Sequence, residues 1–194
     1  MYQCKGGRKI SKPVFSVSVV FGALFLGTLA LSLAFPRESV SAMSPGIKEA
    51  VALADRLVER PSGQREALML GLIFLKNFSV VALVLVFGSR LKGLPLAAVC
   101  AANGAALGTA VVTCHADGVP YAVLAGLILP HGVVEFPVLF LACGLGYSLA
   151  REGVALKGRL AAGARLAVPL AAAALVEVFV TPEVGAWLAK MYVF

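Results

Sequence analysis

Residues 127–137 read L-I-L-P-H-G-V-V-E-F-P. A helix breaker (Pro130), an imidazole (His131), a glycine (Gly132) and a carboxylate (Glu135) interrupt an otherwise apolar region. His131 and Glu135 are four apart and share one face of a helix. Ionisable groups in an apolar segment cost several kcal/mol unless they are paired. Whether this stretch is a soluble core or lies inside a bilayer decides the fold, and the composition around it answers that question.

The chain has 194 residues, 60% of them hydrophobic and 14% charged, with mean hydropathy +0.92. A soluble domain carries roughly 45–50% apolar and about 25% charged residues. One globule of this length cannot hide the excess apolar surface, so the chain reads as a membrane protein. The net charge of +7 is then explained by basic loops on the cytoplasmic face rather than by nucleic acid. Cys4, Cys100, Cys114 and Cys143 show neither C-x-x-C nor metal-like spacing, and three of them lie in apolar runs as small hydrophobes. No disulfide framework is expected.

Apolar runs of membrane-crossing length occupy about 13–35, 67–87, 94–114, 132–150 and 167–184. They predict an all-α, polytopic helix bundle of five spans forming one domain over 1–194. The first run exceeds the h-region of a typical signal peptide and reads as a retained anchor. Between the first two runs, Ser44-Pro45 opens an amphipathic helix over 44–60, which Pro61-Ser62-Gly63 ends. This helix is predicted on the extracytoplasmic side, lying on the membrane surface or serving as a docking platform for a partner.

The apolar region Val119–Ala150 would be roughly 48 Å long as a straight helix at 1.5 Å per residue. That exceeds one span, so Pro130 and Gly132 are expected to break it, with a short or re-entrant piece over 119–132. The basic stretches at 1–12, 88–93 and 151–165 lie on one side of a five-span chain. They place the N-terminus in the cytoplasm and the C-terminus outside the plasma membrane.

Several polar residues lie within the spans. Counting from the inner helix ends, Lys76 and Glu177 come out roughly 18 Å deep, Asn103 roughly 12–15 Å and Glu135 roughly 22 Å. Lys76, Asn77, Asn103, His131, Glu135 and Glu177 are therefore expected in one intramembrane network, with Lys76 paired to Glu135 or Glu177. For His131 and Glu135, one reading is a metal site or an acid–base pair. The other is a broken helix whose freed backbone groups these side chains satisfy. The only other histidine is His115, in an outer turn, and no H-E-x-x-H occurs. No metal, cofactor or catalytic residue is therefore assigned. Asn77 and Asn103 are expected to bond between helices, and Gly104 and Gly108, a G-x-x-x-G, to pack helices closely.

L-K-N-F at 75–78, A-N-G-x-x-L-G at 102–108 and L-P-H-G-V-V-E-F-P at 129–137, followed by a glycine-rich helix, resemble the stage II sporulation protein M family. The resemblance covers roughly 10–190, with P-H-G-x-x-E its most specific part. It carries over to Asn77, Asn103, Pro130, His131, Gly132 and Glu135. It implies an integral membrane protein that anchors partner hydrolases of a peptidoglycan-remodelling complex and has no established catalysis of its own. Many relatives occur in organisms that do not sporulate. Three functions follow: a scaffold organising an envelope complex, a small transporter or channel using the polar band, and an intramembrane hydrolase. The last lacks a recognisable nucleophile–base pair. The expected partners are the lipid bilayer and membrane or extracytoplasmic proteins, with self-association as a further option.

Overall fold

The computed structural model describes residues 11–35, 62–88 and 93–192. They fold into α1 (Ser11–Ala34), α2 (Ser62–Phe87), α3 (Leu94–Ala116), α4 (Tyr121–Arg151), α5 (Leu156–Ala164), α6 (Ala167–Leu175), a π-helical turn (Val176–Val180) and α7 (Thr181–Tyr192). Five stretches are long and apolar enough to cross a membrane: 14–34, 63–87, 94–116, 121–151 and 156–192. The protein is an all-α, multi-pass membrane bundle. The predicted amphipathic helix at 44–60 lies outside the described residues, as do Arg90 and Lys92 of the second basic stretch.

Lipid tails are as apolar as leucine, so close packing rather than water exclusion has to hold such helices together. Glycines supply it here. Gly104 and Gly108 of α3 press against α1. A methyl group at Gly104 would overlap the Phe25 carbonyl and the Thr28 hydroxyl, and one at Gly108 would come within 3.0 Å of the Leu29 carbonyl. The G-x-x-x-G face is thus covered by another helix of the same chain. Gly88 at the end of α2 meets the backbone of Gly146 on α4, and Gly144 of α4 meets α1 at Ser18. Phe25, 1% exposed, anchors the centre. Its ring lies 4.9 Å from that of Phe136 and 5.4 Å from that of Phe140. Cys100 and Cys143 are buried free thiols whose sulfurs meet at 3.5 Å between α3 and α4.

Two expectations about continuity need correction. The break and re-entrant piece at 119–132 do not form: α4 is one helix of 31 residues that runs through Pro130, Gly132 and Pro137. A proline forfeits one backbone hydrogen bond. Unwinding the segment in lipid would free several groups at several kcal/mol each. The helix therefore carries its prolines rather than breaking at them. The N-terminal half of α4 also has a partner of its own, because Gly126 lies against Leu188 and Leu127 against Gly185 of α7.

The second correction concerns the basic stretch 151–165, predicted as a loop. It contains α5, entered through a turn in which Gly153 takes φ 75°, a left-handed conformation that glycine adopts without steric cost. Arg159 of α5 donates from Nη1 to the carbonyls of Leu85, at 3.0 Å, and Val86, at 3.4 Å. These are among the last carbonyls of α2, which a helix end leaves without internal partners. A cation there also opposes the negative end of the helix dipole. The last membrane-crossing stretch thus grows from 167–184 to 156–192.

Candidate functional site

All five membrane-crossing stretches contribute to the walls of a cavity of about 240 Å³. Phe25 of α1 floors it, and Lys76, Asn77, Asn103, His131, Glu135 and Glu177 all line it. The six polar residues singled out from the sequence therefore share one site.

They are joined unequally. Asn77 Nδ2 donates to Glu135 Oε1, linking α2 to α4. Glu135 thus takes its direct hydrogen bond from the amide, while Lys76, one residue earlier, lines the cavity with more than a third of its surface open. Among the described residues, Asn103 does not bridge helices as expected. Its Nδ2 donates to the Val99 carbonyl of its own helix at 2.8 Å. His131 faces the last span, with Nδ1 3.3 Å from the Thr181 hydroxyl. His115 is not among the residues lining this cavity: it lies in the last turn of α3, with Nδ1 3.0 Å from the Val119 carbonyl and its ring stacked on Tyr121.

Glu177 reaches the site from the π-helical turn. The Thr181 N–H bonds the carbonyl of Val176, five residues back, which widens the helix locally. Pro182 has no N–H to return to the Val178 carbonyl, so the regular ladder is already interrupted at this point. Such turns recur at functional sites in helical proteins. One ligand-type atom from each of His131, Glu135 and Glu177 lies within 4.8 Å of the other two, and all three residues are half-buried. The third potential ligand, sought in the sequence among histidines, is a carboxylate from the last span.

Thr181 and Pro182 were missed by sequence reasoning. A Thr-Pro pair inside an apolar span is the signal that could have found them, since threonine can bond across helices and proline disturbs the ladder. Arg159 was missed as well, having been read only as one of several loop cations.

The cavity-lining residues, both asparagine motifs and P-H-G-x-x-E fall within residues 13–182, which match the family model described as stage II sporulation protein M. No curated protein and no solved structure matches the chain. With a match over most of its length, and with five apolar helices of crossing length, the chain belongs to the stage II sporulation protein M family.

Proposed function

We propose that this protein is a non-catalytic membrane scaffold that holds partner proteins of the cell envelope in place, with its N-terminus in the cytoplasm and its C-terminus outside. The observation that carries this reading is the family match over residues 13–182. The packing is consistent with it. Glycine contacts join α1 to α3 and α4, α2 to α4, and α4 to α7, and Arg159 pins α5 to the end of α2. Close glycine approaches of this kind, to backbone in α1–α3 and α2–α4 and to leucine side chains in α4–α7, hold the helices in fixed register, and a bundle of fixed register is a suitable platform for partners. Crosslinking in native membranes followed by purification tests the reading. Recovery of a defined envelope protein in stoichiometric amount is expected, and recovery of lipid alone overturns it.

A second reading, a small ion or solute conduit, draws on the polar cavity. It predicts flux in liposomes that is lost on Glu135→Gln. A scaffold predicts no flux in wild type or variant.

A further inference from the structure

Two carboxylates of the cavity, Glu135 and Glu177, approach each other from different spans, and the imidazole of His131 completes a triangle with them. Because these three ligand-type atoms are mutually within 4.8 Å, one point lies within about 2.8 Å of all three. Bonds from divalent zinc to histidine nitrogen and carboxylate oxygen are about 2.0–2.2 Å. Rotamer adjustments of under an ångström would close the three groups onto one ion. A charge argument points the same way. Were both carboxylates ionised, the one lysine lining the cavity would leave an excess negative charge where unbalanced charge is costly, and a bound cation would offset it.

The surroundings have the form of a metal site's outer shell. Asn77 donates to Glu135 and so fixes its carboxylate. Thr181 engages Nδ1 of His131, which orients the ring and leaves its other nitrogen open. Outer partners of this kind hold ligands in the right tautomer and direction. The remaining coordination position would face the cavity, which has room for solvent.

We propose that His131, Glu135 and Glu177 bind one divalent first-row transition-metal ion inside the membrane bundle. One nitrogen and two carboxylate donors suit manganese, iron, cobalt or zinc better than a soft thiophilic ion. The ion bridges α4 to the π-helical turn of the last span, with Asn77 and Thr181 as positioning residues. The proposal is independent of the scaffold reading, since the ion serves a scaffold or a conduit equally.

The test uses tag-free full-length protein in lipid nanodiscs, stripped with chelator and equilibrated with Co²⁺. One tightly held Co²⁺ per chain is expected. His131→Ala, Glu135→Gln and Glu177→Gln should each raise Kd at least about tenfold, and Asn77→Leu about 10- to 100-fold. His115→Ala should bind as wild type. The chain has two histidines, so a spectroscopic assignment covers any variant that fails to fold. Cu²⁺-loaded wild type should show spin-echo modulation from an imidazole nitrogen that persists in His115→Ala. Three results overturn the proposal: no stoichiometric Co²⁺ in the wild type, a bound ion without an imidazole nitrogen, or an imidazole signal lost in His115→Ala. In the first case the cavity neutralises its charge with protons instead.

Discussion

Asn77 on α2 donates its side-chain amide to the Glu135 carboxylate on α4, across a cavity lined by all five membrane-crossing stretches. Removing the donor to a half-buried carboxyl oxygen costs roughly 1–3 kcal/mol. Asn77→Leu should therefore lower stability by about that amount, read as a reduced unfolding midpoint in detergent. Combining it with Glu135→Leu should recover part of the loss, because the double variant leaves no buried carboxylate without its donor.

Lys76 lies beside this pair and faces the same cavity as Glu135 and Glu177. In chelator-treated protein its ammonium is the balancing charge closest in sequence to the pair. Lys76 is more than a third open, so Lys76→Met alone should lower stability by less than the roughly 3–5 kcal/mol of a broken, fully buried charge pair. Lys76→Met with Glu177→Gln should be more stable than the single variant. Thermal unfolding of the two variants and their parent makes the comparison. A double variant no better than the single would show that lysine does not balance that carboxylate.

The α1–α3 contact predicts where glycine matters. Gly104→Leu should clash with the Phe25 carbonyl and the Thr28 hydroxyl and cost about 1–3 kcal/mol or more. Because α1 covers this face, the damage should appear as lowered stability of the single chain. Size-exclusion chromatography with light scattering should find its association state unchanged. A variant that folds normally but loses a dimer would mean that the face is shared between copies.

Removing Arg159 should uncap α2. Arg159→Met leaves the Leu85 and Val86 carbonyls without the guanidinium, at about 1–3 kcal/mol for partners left unsatisfied. Hydrogen exchange should rise at the end of α2 and across α5 and stay unchanged at the α4–α7 contact.

Orientation can be checked on a cysteine-free background. A single cysteine at position 50 should react with an impermeant reagent from outside. Cysteines at positions 90 and 157 should react only after the inner face is opened. This pattern is what the excess of Lys and Arg at 88–93 and 151–165 predicts.

The number of crossing-length helices and the similar heights of the polar residues along them were legible because both depend on regularities of helix geometry. Apolar length reports a crossing, and 1.5 Å per residue converts position to depth. Lys76, Asn103, Glu135 and Glu177, on four spans, accordingly line one cavity. What stayed hidden depends on which helices are neighbours. Pro130 and Gly132 look like a break in isolation, yet Gly126 and Leu127 find Leu188 and Gly185 and the helix runs on. Arg159 reads as one more cytoplasmic cation until the end of α2 is found beside it. The bonding choice of Asn103 was equally invisible, since an asparagine can reach its own helix as easily as a neighbour's.

The packing of α1 sets a schedule for making the protein. In the finished bundle α1 rests mainly on α3 and α4 rather than on α2, the helix that follows it in the chain. During synthesis the first helix therefore enters the bilayer before its partners exist, and it stays there while the polar stretch 36–61 and the whole of α2 are translated. Its glycine-seeking face, with Phe25 and Ser32, is exposed to lipid or to an insertion factor until Gly104 and Gly108 leave the ribosome. Helices can wait in this way because each is stable in the bilayer before it associates.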